Sequence, residues 1–296
     1  MFRYYWNYGL CQYIFRPRAY AIRMTFIRLS VLCAAGVGLL LPASPPQGNA
    51  SRNSEYPTVQ VREEQAIVIN GVTETWQLKW LASPKAVCEP SDTSLTCPCE
   101  GFAYGEGGDL DLVRLRNGAE IDRLHVTPLF EEEFGGTGRV AILQRWPADD
   151  DKDFSASQKP DFVATVSKRP TVQIMHFADY DHDRDATEFY LQTEAAPCGK
   201  SMGVVLGISK ANPRLHAFGT VPAPNKPLYL HRHEWEALRD AQEPVEVLDW
   251  PCRDHGSDTQ TTLLLRWSSD GISGSRREFT CTHDGKPGDL IHEEPL

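Results

Sequence analysis

Two Asn-Gly dipeptides constrain the fold of this chain more than any other feature. Asn70-Gly71 lies between "EEQAIVI" and "VTETWQLKW", and Asn117-Gly118 between "DLDLVRLR" and "AEIDRLHV". The flanking runs favour strands. Asn-Gly is the pair that best accepts the positive φ angles of a two-residue turn. Each stretch is therefore expected to be a β-hairpin. "GVVLGISKANPRLHAFGT" is expected to form a third, turning around Asn212-Pro213. Shorter runs, "RVAILQRW", "TVQIMHF", "EFYLQT", "VEVLDW", "TTLLLRW" and "REFTCTH", are expected strands. "PADDDKDFSASQKPD" has the polar composition of an exposed loop, and "LHRHEWEALRDAQ" holds one short helix near 233–241. Many short strands joined by turns indicate an all-β domain.

The segment before this domain has a different composition. From Met24, a short stretch with Arg28 precedes an apolar run, Leu29 to Leu41, and small residues at Gly48 and Ala50. That is the layout of a secretory signal peptide, with cleavage expected after Ala50. The apolar run is too short to span a bilayer comfortably, so no stable membrane span is expected after cleavage; a membrane anchor is the alternative. Residues 1–23 have no evident role, and translation is expected to start at Met24. Residues 51–56 are expected to be a flexible leader and 57–296 a single β-rich domain.

Export fits the cysteines. Six follow Ala50: Cys88, Cys97, Cys99, Cys198, Cys252 and Cys281. An even number in an exported chain points to disulfides, although six allow fifteen pairings. Cys252–Cys281 is the favoured pair, because each lies beside an expected strand of the C-terminal part. After cleavage the net charge is −15, from 25 basic and 40 acidic residues. Such a surface repels nucleic acid and anionic membranes and favours cations or basic partners.

"FADYDHDRDATEF" concentrates that charge. Asp179, Asp181, Asp183 and Asp185 occupy alternate positions, and Glu188 follows. Carboxylates at alternate residues of a curling loop can converge on one ion, and calcium takes six to eight oxygens. The competing account is a solvated turn whose aspartates cap their own backbone. The loop is no EF-hand: Arg184 stands where that motif needs glycine and Tyr190 where it needs glutamate. Strand, D-x-D-x-D loop, acid, strand resembles an FG-GAP or VCBS-type repeat, a blade of calcium-binding β-propellers. The resemblance covers about residues 172–219. In that family the loop usually reads D-x-D-G-D-G-x-x-D/E. Here Asp179, Asp181 and Asp183 match the first ligands, His182 and Arg184 replace the two glycines, and Glu188 comes one residue late. The resemblance implies a small propeller or propeller-like stack of antiparallel hairpin sheets. A β-sandwich is the alternative.

A second constellation involves histidine. "HRHEWE" sets His231 and His233 two residues apart, and "DWPCRDHGSD" contains Asp254 and His255. Together these residues suit metal or acid–base hydrolysis. Trp76, Trp80, Trp146, Trp250 and Trp267 fall on expected strands, as core residues or as a platform for sugar. The leading expectation is a non-enzymatic, calcium-stabilised binding or structural module of the cell envelope or extracellular space. Its partner would be a protein or glycan. A secreted hydrolase using His231, His233, Asp254 and His255 is the alternative.

Overall fold

The expected turn at Asn70-Gly71 joins β1 (Gln60–Ile69) to β2 (Val72–Trp80), with φ of 50° and 77° at the two turn residues. Asn117-Gly118 joins β5 (Leu110–Arg116) to β6 (Ala119–His125), with φ of 51° and 77°. The two hairpins share one antiparallel sheet, ordered β1-β2-β5-β6. The computed structural model describes residues 58–92, 102, 104–130, 140–157, 159–195, 201–268 and 271–296. All of them belong to the compact unit Ser54–Leu296. The expected signal peptide and leader lie outside the described residues, as do Cys97, Cys99 and Cys198.

Three more antiparallel sheets follow. β3 (Lys85–Val87), β4 (Gly105–Gly108) and β7 (Ala141–Gln144) form a small one. In the next, β9 (Ser201–Gly207) pairs along one edge with β8 (Glu188–Ala195). Its other edge takes β10 (His216–Ala217) and β11 (Leu230–His231). The last sheet is a meander of β12 (Val245–Trp250), β13 (Thr259–Ser268), β14 (Gly271–Cys281) and β15 (Pro287–Pro295). The all-β expectation holds, and no sheet closes into a barrel; the ring closure of a propeller is not shown.

The β8–β9 pair forms the centre of the structure because both of its faces are covered. Successive strand residues point to opposite faces. Phe189, Leu191, Val204 and Leu206 pack with Trp76, Leu78, Trp80, Leu110 and Leu112 of the first sheet. Tyr190 and Val205 pack the other way, with Trp235, Leu238, Val247, Leu263 and Leu265. This two-sided burial accounts for the unbroken apolar run in β9. Trp235 and Leu238 come from the expected helix, here α3 (Arg232–Asp240), and the Trp235 indole N–H donates to Gly203 O at 3.0 Å. The favoured disulfide is present: Cys252 and Cys281 are bonded, with their Cα atoms 5.7 Å apart. Cys88 is also disulfide-bonded.

Two expectations need correction. Residues 171–177 form no strand. Their backbone is held by side chains of β1 instead: the Ile174 and Met175 amides donate to the Glu63 carboxylate at 2.6 and 3.0 Å. Arg62 donates to Val172 O at 2.9 Å. Amides captured by a carboxylate cannot also pair with a neighbouring strand. Val172 N donates to Arg145 O at 2.9 Å, and Ala178 forms an isolated bridge to Glu188. Second, the supposed loop after residue 147 contains α1 (Asp150–Ala156), and α2 (Phe162–Val166) follows it. Asp153 anchors α1 from a buried position. Its carboxylate accepts from the Tyr104 hydroxyl at 2.9 Å and from Arg169 Nη1 at 2.8 Å.

Candidate metal centre

The acidic loop begins at the Ala178–Glu188 bridge, so its two ends meet at the head of β8. Inside it the backbone curls through three side-chain-to-backbone bonds. Arg184 N donates to Asp179 Oδ2 at 3.0 Å, Asp183 N to Asp181 Oδ1 at 3.1 Å, and Asp185 N to Asp183 Oδ1 at 2.9 Å. The curl requires left-handed backbone at His182 (φ 58°) and Arg184 (φ 76°). A non-glycine residue pays roughly 1–2 kcal/mol for that conformation. Arg184 has an exposed side chain. Arg184→Gly is therefore expected to raise stability by about 1 kcal/mol, measured from the denaturant midpoint at constant slope. A loss of stability would mean that the guanidinium supports the loop.

The five candidate carboxylates separate into two groups. Asp179, Asp181 and Glu188 each bring an oxygen to within 4.8 Å of the others. Asp183 and Asp185 face Lys210 instead, whose ammonium lies 3.7 Å from Asp183 Oδ1 and 3.2 Å from Asp185 Oδ2. The same ammonium contacts the Asp183 carbonyl, and the Lys210 amide donates to Asp183 Oδ2 at 3.0 Å. Lys210 thus acts as a tethered counter-ion for one half of the loop. Among the described residues no basic side chain forms an ion pair with the other half.

Strand register explains the division. Glu188 lies opposite Gly207 in the β8–β9 ladder. The chain leaving Gly207 therefore passes the chain entering Glu188, which brings Lys210 to Asp183. Sequence reading missed Lys210, because a lone lysine 27 residues downstream has no local link to the loop. Gly207 was missed as well. A Cβ there would lie 2.5 Å from Thr187 O and 2.9 Å from Glu188 Cγ.

Burial gives the triad its electrostatics. Glu188 is wholly inaccessible to solvent. Its Oε2 accepts from Tyr180 N at 2.8 Å, and Oε1 contacts the Thr187 hydroxyl. Burial pushes the Glu188 carboxyl up to about 8, with the Asp181 and Asp183 charges adding and the two hydrogen bonds opposing. Burial likewise pushes Asp181 up to about 7, against the Asp183 amide bond and with the help of Asp183 and Asp179. Asp179 Oδ1 is buried with no hydrogen-bond partner. An all-oxygen set of this kind suits a hard divalent cation, calcium above the softer zinc. An ion would supply the partner that Asp179 Oδ1 lacks and the charge that the other two need.

The histidine constellation is arranged differently. His231 Nδ1 lies 2.9 Å from Ser201 O, and its Nε2 is 3.7 Å from Asp249 Oδ1. His233 Nε2 is 3.3 Å from Leu248 O, and the two imidazoles stack with centroids 5.6 Å apart. These contacts tie the start of α3 to β9 and β12. Asp254 sits in a short 3-10 turn, Asp254–Gly256, beside the Cys252 disulfide. Among the described residues the only group with metal-holding spacing is the Asp179, Asp181, Glu188 triad. No known protein family, curated protein or solved structure matches the chain.

Proposed function

We propose that this chain is an exported, calcium-stabilised binding or structural module, and that its work is non-enzymatic. One observation carries the reading. Three carboxylates converge at the head of a central strand, Glu188 fully buried and Asp179 and Asp181 partly so, while the Lys210 ammonium serves the other two acids of the loop. Such a site is unfavourable when all three groups are charged and no cation is present. Calcium held by Asp179, Asp181 and Glu188 would relieve it and fasten the loop to β8. The left-handed backbone at His182 and Arg184 supports the reading, because these are the positions where the resembling FG-GAP loop carries glycine. The Cys252–Cys281 bond supports an oxidising location. No described helix is long and apolar enough to cross a membrane.

The test is thermal melting with calcium, with chelator and with magnesium. Calcium acting on the folded state alone stabilises by about 2.7 kcal/mol at a hundredfold excess over its dissociation constant. Asp181→Asn is expected to remove that gain. The effect has a defined pH dependence. The Asp181 and Glu188 carboxyls are raised, so without metal they favour the fold at low pH, and that contribution is lost as pH rises through about 7 and 8. Calcium must displace those same protons, so its stabilisation should grow over the same interval. A melting temperature indifferent to calcium at pH 8, with no uptake by equilibrium dialysis, would sink the proposal.

A further inference from the structure

A cavity of about 640 Å³ opens beside the acidic loop, within the size range of small-molecule sites. Asp181, His182 and Asp183 line it, together with residues of the β10 region and of β13. Part of the lining is aromatic. The His216 and Phe218 rings lie with centroids 4.6 Å apart, and Phe218 meets Trp267 edge-on at 6.1 Å. Trp267 in turn lies 6.1 Å from the His182 ring of the acidic loop. Amide side chains of Asn212, Asn225 and Gln242 also line the cavity and are exposed.

We propose that this cavity binds a short neutral carbohydrate. A sugar ring has an apolar C–H face and a rim of hydroxyls, and the lining offers the part-exposed His216 and Trp267 rings, backed by the buried Phe218, for the first and amides and carboxylates for the second. Formal charge in the lining is largely cancelled. Lys210 is committed to Asp183 and Asp185, and Arg266 and Glu243 add opposite signs. Burial lowers the His216 imidazole below its ordinary range, which leaves it neutral near pH 7. A polyanion would meet Asp181 and Glu243. A purely apolar ligand would strand the amides. The inference rests on and deepens the calcium reading, because Asp181 both lines the cavity and belongs to the triad. Ordering the loop around an ion would set the position of His182 in the lining.

The test is calorimetric titration of the disulfide-intact protein with cellobiose, lactose and chitobiose, with calcium and with chelator. At least one disaccharide is expected to bind with a dissociation constant of about 1 mM or tighter, and several-fold more weakly after chelation. Trp267→Ala should abolish binding while leaving the calcium melting shift intact. Val221→Trp, at an exposed lining position, should block the cavity without altering the core. Absence of binding by all three sugars would overturn the carbohydrate proposal, and a persisting calcium shift would leave the calcium reading standing. Binding that survives both substitutions would place the sugar elsewhere and overturn it too. Competition by a basic peptide in place of any sugar would do the same. Sugar binding unaltered by Asp179→Asn, in a protein with no calcium shift, would overturn only the part that depends on the ion.

Discussion

Glu74→Ala is expected to destabilise the protein by about 3–5 kcal/mol, the usual consequence of removing one partner from a buried ion pair. Glu74 is 1% exposed on β2. Its carboxylate accepts from Arg114 Nε at 2.9 Å and Nη2 at 3.1 Å, from Arg116 Nη2 at 2.7 Å, and from the Trp76 indole at 3.3 Å. Arg114 is also buried, and without Glu74 its nearest remaining carboxylate is Asp122 at 3.6 Å. The penalty is mainly that of a stranded guanidinium. These arginines outweigh the effect of burial and hold the Glu74 carboxyl below the usual carboxylate range. The stabilisation is therefore present above pH 4.5 and lost as pH falls through the lowered folded value. Urea denaturation at pH 7 and pH 4 measures both effects. A loss under about 1 kcal/mol at pH 7 would show that Asp122 and water replace Glu74 adequately. The same cluster reaches toward the site, since Arg114 Nη1 donates to Pro213 O at 2.6 Å and Asp122 accepts from Leu215 N at 2.7 Å. Those contacts hold the loop that carries Lys210.

Gly207→Ala is the second large effect, and it joins the fold to the site. The added methyl would press on the Thr187 carbonyl and on both Cα and Cγ of Glu188, at 2.5, 2.8 and 2.9 Å. Two of those three are backbone atoms in a ladder, so strain of about 1–3 kcal/mol is expected. Relief by shifting β8 would carry Glu188 away from Asp179 and Asp181. The variant should thus lose both basal stability and the calcium-dependent increment. Melting with and without calcium separates these. A variant that is destabilised yet keeps the full calcium shift would mean that Glu188 is not a ligand.

Local chemistry made much of the architecture legible. Asn-Gly turns announce themselves because the required φ angles belong to the dipeptide. α3 and Cys252–Cys281 were readable for similar reasons of local pattern. Residues 171–177 were not, because an apolar run normally pairs as a strand and here Glu63, more than a hundred residues upstream, takes its amides. β15 went unrecognised because Pro287, Gly288 and four charged or histidine positions mask its period, and every residue in it is exposed. α1 was hidden by composition, since an aspartate-rich run looks like a solvated loop until Arg169 and Tyr104 enclose Asp153.

For the candidate site, the amino-acid order by itself determined that an acidic loop would curl at the entrance to a strand. Aspartates at alternate positions cap the amides that follow them, and this needs only neighbours. Which carboxylates meet was decided by tertiary structure. The pairing of Glu188 with Gly207 buries one acid among two others and delivers Lys210 to the remaining pair. Register between strands is a property of packed faces rather than of either strand alone.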